Sequence, residues 1–297
     1  MKKVGIAMAV HNVEMFIIST LKAIQDQTYK DFVCYIVDDR STDNTVQIIY
    51  DMFCKRDDRF KLYINCTDKD KPYIDAHNLS YQLCDTEYII RLDGDDIPDS
   101  TLIEKYVEFM DSHHEYEACC STVVPYWSNT VTGQLEKAED SKQVWPDLKR
   151  RWFDVFPHDE DTDRFNNSPA LDHVFNPLSW CNQCSCIRRE FMLKHKLKFK
   201  HRSYGDFMFW TEFFAEGGNA YKLKDKLLIY RINHESISHK GDWFKTDNYF
   251  ELDLAKAKVK LLKSLNDPNE DGRIRVFENT VKYFEDLINK EKSVNNT

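Results

Sequence analysis

Tyr88-Ile89-Ile90-Arg91-Leu92-Asp93-Gly94-Asp95-Asp96 runs from an apolar segment straight into three carboxylates within four residues. Apart from one stray Arg91, the first part has the length and composition of a buried strand. A strand that ends in clustered acids sets several negative charges at one edge of a sheet. Such charges repel, and burying them without compensation is costly. A divalent cation relieves both effects, and Mg²⁺ takes one or two carboxylates together with substrate phosphates. The plainer reading of the triplet is an acidic turn ahead of a helix beginning near Asp99.

The segments upstream favour the sharper reading. Val4 to Val10 is a continuous apolar run, as expected for a strand buried on both faces of a mainly parallel sheet. Val13, Phe16, Ile17, Leu21 and Ile24 then recur at helical spacing. Phe32 to Val37 is the next strand and ends in Asp38-Asp39-Arg40-Ser41. Ser41 or Thr42 is placed to cap a helix carrying Val46, Ile49 and Phe53. Phe60 to Ile64 predicts a third strand, Tyr73 to Leu83 a helix, and Tyr88 to Leu92 the fourth strand. Strand and helix alternating over short loops predict an α/β fold with right-handed crossovers. Ligands of such sheets bind beyond the carboxyl ends of the strands. His11-Asn12, Asp38-Asp39 and Asp93 to Asp96 all fall there. Three polar clusters at one sheet edge are harder to dismiss than one.

The bulk composition narrows the class. A chain of 297 residues with 42% hydrophobic content can bury a sizeable core and is not a disordered polymer. No apolar stretch reaches the length of a membrane-spanning helix. Asn12 and Glu14 end the opening apolar run, so a secretory leader is not expected. Nine scattered cysteines fit a reducing compartment better than a disulfide framework. The expected location is the cytoplasm, with the periphery of a membrane left open. A net charge of −9 argues against nucleic acid as a whole-surface partner. Arg188 to Arg202 nevertheless holds seven Lys or Arg and one acid. That run can face an anionic acceptor or membrane headgroups, although such runs are more often solvated faces.

The same residues resemble a known family. Val4-Gly5-Ile6-Ala7-Met8-Ala9-Val10-His11-Asn12, Gln27-Thr28-Tyr29, and Ile36-Val37-Asp38-Asp39-Arg40-Ser41-Thr42-Asp43-Asn44-Thr45 resemble the opening of the family-2 glycosyltransferases. Asp93-Gly94-Asp95-Asp96 resembles that family's DxD-type metal motif. Ala76-His77-Asn78 falls where the family often has Ala-Arg-Asn, and Tyr204-Gly205-Asp206 followed by Phe209-Trp210 resembles the segment of the catalytic base. Tyr230-Arg231-Ile232-Asn233-His234-Glu235-Ser236-Ile237-Ser238 resembles the closing motif. The match spans Val4 to about Ser238. It implies the GT-A fold and inverting sugar transfer from a nucleotide diphosphate sugar, with a UDP- or dTDP-sugar favoured. There are three departures. His11 replaces a Tyr, Arg40 replaces a small residue and can pair with Asp39 or reach the diphosphate, and His77 replaces an Arg.

The resemblance also implies roles. Val10, His11, Asn12, Asp38, Asp39, Arg40, His77, Asp93, Gly94 and Asp95 would bind the donor. Asp95 or Asp96, with His234, would hold Mg²⁺ or Mn²⁺, acting as Lewis acid and template for the leaving diphosphate. Asp206 would deprotonate the acceptor hydroxyl. The plainer reading of Asp206 is a helix N-cap, and that of His234 a structural loop histidine. The expected acceptor is a glycan or a lipid-linked sugar. Modified or glycosylated nucleic acid is the alternative raised by the basic run. A nucleotidyltransferase, a phosphoacceptor signalling domain and a non-catalytic nucleotide-sugar-binding module are the rivals.

Beyond Asp96 the pattern changes. Leu102, Ile103, Tyr106, Val107 and Met110 share one face of a helix from Asp99 to about His113, and Ala118 to Val124 reads as a strand. Tyr126 to Trp180, with Pro146, Pro157, Pro169 and Pro177 and the acidic run from Asp159 to Asp163, reads as irregular acceptor-binding loops. Cys181, Cys184 and Cys186, with Cys119 and Cys120 nearby, admit a zinc reading, but buried strand cysteines are the plainer account. After Gly241, Leu254, Ala257, Leu261 and Leu265 form one helical stripe. Ile274, Phe277, Val281, Phe284 and Ile288 form another. Such stripes usually pack on the parent domain or on each other, and a homodimer contact is the sharper reading. The expected organisation is a donor half over residues 1–98, an acceptor and catalytic half over 99–241, and a helical extension over 242–297.

Overall fold

The computed structural model describes residues 2–66, 72–128, 135–137, 166–167, 169–170, 173, 184–201, 205–232 and 246–295. The strands and helices expected to alternate before Asp93 are present. Strands β1 (Val4–Val10), β2 (Phe32–Asp38), β3 (Phe60–Ile64) and β4 (Tyr88–Arg91) are parallel neighbours in the order β3-β2-β1-β4. Helices α1 (Ile17–Gln25), α2 (Thr45–Ile49) and α3 (Pro72–Leu83) join them. The unbroken apolar runs of β1, β2 and β4 are buried, as strands covered on both faces must be. The strand order reverses at β1, which opens a crevice between β1 and its neighbours at their carboxyl ends.

The sheet continues with strands that lack so plain a signature. β5 (Ile97–Pro98), β6 (Ala118–Ser128), β7 (Leu135–Lys137), β8 (Cys186–Arg188) and β9 (Ala220–Ile232) complete the order β3-β2-β1-β4-β8-β6-β9-β5, with β7 paired to β6. β8 runs antiparallel to β4 and β6, so the sheet is mixed. β6 is longer than expected and reaches Ser128 because β9 runs parallel beside it to Ile232. β5 was not expected. It forms only because Ile97 and Pro98 pair with Ile229 and Leu228 of β9.

Two helix starts also shift. α4 runs from Leu102 to Ser112, not from Asp99. Asp99 instead turns the chain, its Oδ1 accepting from the Thr101 N–H (2.9 Å) and hydroxyl (2.6 Å). α2 begins at Thr45, and Asp43 Oδ1 accepts from Thr45 N–H at 2.9 Å. Ser41 and Thr42 do not cap it because Asn12 engages both: Asn12 N–H donates to Ser41 Oγ (2.9 Å) and Thr42 N–H to Asn12 Oδ1 (2.7 Å).

Cys119, Cys120, Cys184 and Cys186 lie fully buried in the sheet interior, with Cys119 opposite Cys186 and Cys184 Sγ accepting from the Tyr106 hydroxyl at 3.3 Å. This is the arrangement of buried strand cysteines, while Cys181 lies outside the described residues. α5 (Arg189–Lys194) and α6 (Gly205–Ala215) follow β8. The tail forms the two expected helices, α7 (Asn248–Leu265) and α8 (Asp271–Asn295). Asn266 closes α7 in the left-handed conformation. Most of residues 126–180, including the run Asp159 to Asp163, lies outside the described residues.

Candidate active site

The crevice is walled on one side by the ends of β1 and β2. Asp38, the last residue of β2, is buried and accepts from Ser41 N–H through Oδ2 at 2.8 Å. Its Oδ1 has no hydrogen-bond partner among the described residues. Asp39 N–H continues the β1 ladder by donating to Val10 O at 2.8 Å. Asp39 Oδ1 accepts from Asn65 Nδ2 (3.0 Å) and Arg40 Nη2 (3.2 Å). His11 Nδ1 donates to Asp39 O at 2.9 Å and leaves an exposed ring at the mouth. Asn12 and Arg40 both have left-handed backbones, with φ of 52° and 62°. Such strain in non-glycine residues persists only where neighbours fix it, and it clusters at functional sites.

The acidic loop forms the floor. Gly94 is required there, because a Cβ would stand 2.6 Å from Val10 Cγ1, with no room in the β1 wall. Asp96 is buried, and its Oδ1 accepts from Arg231 N–H at 2.9 Å while Oδ2 has no partner among the described residues. Arg231 also clamps the loop with its side chain. Nε donates to Asp95 O (2.6 Å), Nη1 to Ser128 Oγ (3.3 Å) and Nη2 to Ser19 Oγ (2.9 Å), over the Phe16 ring. Burial, and then the charge of Asp93, push the Asp95 carboxyl up to about 7. Burial and the charges of Asp95 and Asp93 push Asp96 well above the carboxylate range. Two mutually repelling acids, one buried and one half-buried, with an orphaned oxygen are the donor set that a hard divalent cation stabilises. No group of three or more protein ligands gathers among the described residues, which do not include His234.

On the far side, Asp206 stands in the first turn of α6. Its Oδ1 accepts from Phe207 N–H at 2.8 Å, and its Oδ2 lies 3.7 Å from Arg91 Nη1. Asp206 thus lies inside the first turn of α6, not ahead of it as an N-cap would, and keeps one oxygen outside that bond. His77 is buried against the Phe199 ring, 5.1 Å between centroids. Burial and the nearby Arg91 charge push it well below the usual imidazole range, so the ring is neutral at pH 7. His234 and Tyr204 lie outside the described residues.

Residues 5–175 match the model of Glycosyl transferase family 2. The chain belongs to that family. EpsE of Bacillus subtilis strain 168, which is named as a glycosyltransferase, is 25% identical over 262 residues, covering 87% of this chain and 84% of that protein. A Campylobacter jejuni protein named GalNAc(5)-diNAcBac-PP-undecaprenol beta-1,3-glucosyltransferase is 29% identical over 96 residues, 32% of this chain and 30% of that protein. Among solved structures, Staphylococcus aureus TarS 1-349 in complex with UDP-GlcNAc superposes with a TM-score of 0.62 at 15% identity, covering 95% of this chain and 71% of that one. The mannosyltransferase PcManGT of Pyrobaculum calidifontis, in complex with GDP-Man and Mn²⁺, gives 0.55 at 13% identity over 98% of this chain and 75% of that one. These likenesses bear out the GT-A-type fold.

Membership in glycosyl transferase family 2 makes this chain a glycosyltransferase and removes the phosphoacceptor, nucleotidyltransferase and non-catalytic readings. Its crevice brings together Val10, His11, Asn12, Asp38, Asp39 and Arg40 on one wall and Asp93, Gly94, Asp95 and Asp96 on the floor. Arg40 resolves toward Asp39 rather than standing free. His77 does not join the wall but is buried on the Phe199 ring, near the Arg91 charge. Sequence reasoning missed Asn65, Arg91 and Arg231 as site builders. The signal for Arg91 was present as a lone charge inside an apolar strand. Asn65 directly follows a strand, as the other site residues do. Within the basic run of this glycosyltransferase, Arg188 is structural, donating to Tyr116 O, Met110 O and His113 O. Arg189 pairs with Asp85 and Lys200 with Glu212. Lys194, Lys196 and Lys198 stay exposed, and Arg202 is outside the described residues.

Proposed function

We propose that this glycosyltransferase moves a sugar from a nucleotide diphosphate sugar, of UDP or dTDP type, to an acceptor hydroxyl by a single displacement that inverts the anomeric carbon. The observation that supports this best is the Asp95–Asp96 pair, with Asp96 buried and its Oδ2 unpartnered among the described residues, linked through Asp93 and Arg91 to Asp206 on another element. The nucleotide-sugar complexes of TarS and PcManGT support the donor class, and the latter's Mn²⁺ supports a cation.

Asp38 Oδ1 and Asp39 Oδ2 are acceptors placed for donors on the nucleobase and ribose, with Asn65 and Arg40 holding Asp39 in position. The exposed His11 ring offers a face on which a base can stack. Asp95 and Asp96 would hold Mg²⁺ or Mn²⁺, with His234 as a further ligand, and the bound cation would supply Lewis-acid neutralisation of the leaving diphosphate. Arg231 fixes the acidic loop from below so that these carboxylates need not reorganise. Asp206 takes the acceptor proton on Oδ2, since Oδ1 is engaged by Phe207 N–H. The acceptor is a glycan or a lipid-linked sugar, a class supported by the undecaprenol-linked name of the Campylobacter relative. Such an acceptor suits an enzyme of the cytoplasm working at the membrane periphery. No described helix is long and apolar enough to cross a membrane.

A panel of UDP-, dTDP- and GDP-sugars with Mn²⁺ tests the reading. Release of the nucleoside diphosphate should mark the donor, and an α-linked donor should give a β-linked product by NMR. Release of pyrophosphate, or a retained anomeric configuration, would overturn it.

A further inference from the structure

A guanidinium buried to 4% exposure needs negative charge beside it. Arg91 has carboxylates at both arms. Nη2 donates to Asp93 Oδ1 and Oδ2 at 3.2 and 3.3 Å, and Nη1 lies 3.7 Å from Asp206 Oδ2. Asp93 belongs to the acidic loop after β4, whereas Asp206 belongs to α6, so one side chain joins the donor floor to the base. The seat of Arg91 is rigid. Its backbone N–H donates to Ser185 O at 2.9 Å, and the Phe199 ring centre is 5.8 Å from the guanidinium carbon. Phe199 is itself gripped by Asn78, which donates to Phe199 O (2.9 Å) and accepts from Phe199 N–H (2.8 Å). The neutral His77 packs on the same ring, where a second cation would repel Arg91.

We propose that Arg91 is a positioning residue for sugar transfer. Its planar fork sets the distance between Asp206 and the acidic loop and offsets the repulsion between Asp206 and Asp93. This rests on the reading of Asp206 as the base. A fork with two arms at a fixed angle serves two carboxylates, which the point charge of a lysine does not. Because the strut meets the base directly and the nucleotide only through Asp93, its loss should lower kcat more than donor affinity. A misplacement of about 1 Å can cost about 10²-fold in rate.

The test is a cycle of Arg91→Met, Arg91→Lys, Asp206→Asn and the Arg91→Met/Asp206→Asn double variant. Turnover is measured with the sugar nucleotide that the donor panel selects, and nucleotide affinity by calorimetry with UDP and Mn²⁺. Arg91→Met should lower kcat by about 10²-fold while UDP affinity holds, and Arg91→Lys should recover part of the loss. Asp206→Asn alone should lower kcat by about 10²–10⁴-fold. In the Asp206→Asn background the Arg91→Met change should cost nothing further, because the strut has no base left to place. An equal cost in both backgrounds, or parallel losses of kcat and UDP affinity, would overturn the strut. Full turnover by Asp206→Asn would instead overturn the base assignment, whatever Arg91 does. If Arg91→Met does not fold, Arg91→Lys takes its place in the same cycle, and wild-type kcat for Arg91→Lys would overturn the need for a fork.

Discussion

Asp96 has one carboxylate oxygen satisfied by Arg231 N–H and the other left without a partner among the described residues, beside Asp95. Proton and cation are alternative remedies for that pair, so they should compete. Asp95 has a folded value of about 7 against an ordinary 3.8. Between those values the folded protein binds a proton that the unfolded chain does not, so stability rises as pH falls through about 7. The metal-free enzyme should therefore melt at a higher temperature at pH 6 than at pH 8. Saturating Mn²⁺ should raise the melting temperature more at pH 8 than at pH 6. Asp96→Asn removes the repulsion, and should raise the metal-free melting temperature at pH 8 by a few degrees while abolishing the Mn²⁺ response. Scanning calorimetry at the two pH values decides it. A melting temperature that climbs with pH in the metal-free enzyme would refute the account. Other residues explain why this site was legible only in part. The acids are visible as a cluster in sequence, but Arg231, 135 positions from Asp96, meets the acidic loop only once the sheet is closed.

At the scale of elements, the acidic loop is held between the end of β1 and the pairing of β5 with β9. Gly94 has no room for a methyl group because Val10 Cγ1 would be 2.6 Å away, yet the next atoms, Val10 Cβ and Ile17 Cδ1, would be at an ordinary 3.6 Å. Gly94→Ala should thus cost about 1–3 kcal/mol as overpacking and weaken UDP binding. Val10→Ala/Gly94→Ala should recover most of the UDP affinity, since the truncated side chain vacates the clash. Calorimetric titration of the two variants checks this, and a double variant no better than Gly94→Ala would mean that the loop needs glycine for another reason. The same elements show what sequence periodicity can supply. β1, β2, β3 and β4 were readable because each is an apolar or alternating run bounded by polar turns. β5 was not, since two residues carry no period and Ile97–Pro98 becomes a strand only through Leu228 and Ile229. The start of α2 was misread for a related reason: Ser41 and Thr42 have capping chemistry, but the distant Asn12 claims both.

Over the whole molecule, the C-terminal helices bear on the base rather than on the donor. α7 lies against α6, with Phe250 and Ala257 packed on Met208, two residues beyond Asp206. It also holds the flanks of α6: Asp253 pairs with His201 at 3.1 Å, and Lys260 pairs with Glu216. α8 meets this arrangement through α7, whose Lys256 and Lys263 pair with Glu285 (2.8 Å) and Glu278 (2.7 Å) of α8 and whose Lys258 lies over both the Phe207 ring of α6 and the Phe277 ring of α8. Exposed pairs of this kind contribute about 0–1 kcal/mol each, and of the α8 stripe only Ile288 is fully buried. The two helices should therefore be separable by truncation. Ending the chain after Asn266 should lower the melting temperature by several degrees and leave kcat near wild type. Ending it after Thr246 removes Phe250 and Ala257 and uncovers Met208, so α6 loses its outer support. That truncation should lower kcat by about 10-fold or more while UDP affinity changes little, because the Asp38 and Asp96 walls lie on the other side of Arg91. Sedimentation of both truncated forms and the full chain would also show whether the α8 stripe joins two copies. If loss of α8 alone abolishes turnover and converts a dimer to a monomer, the helices act by pairing subunits, and the support of α6 by α7 is not what the extension is for.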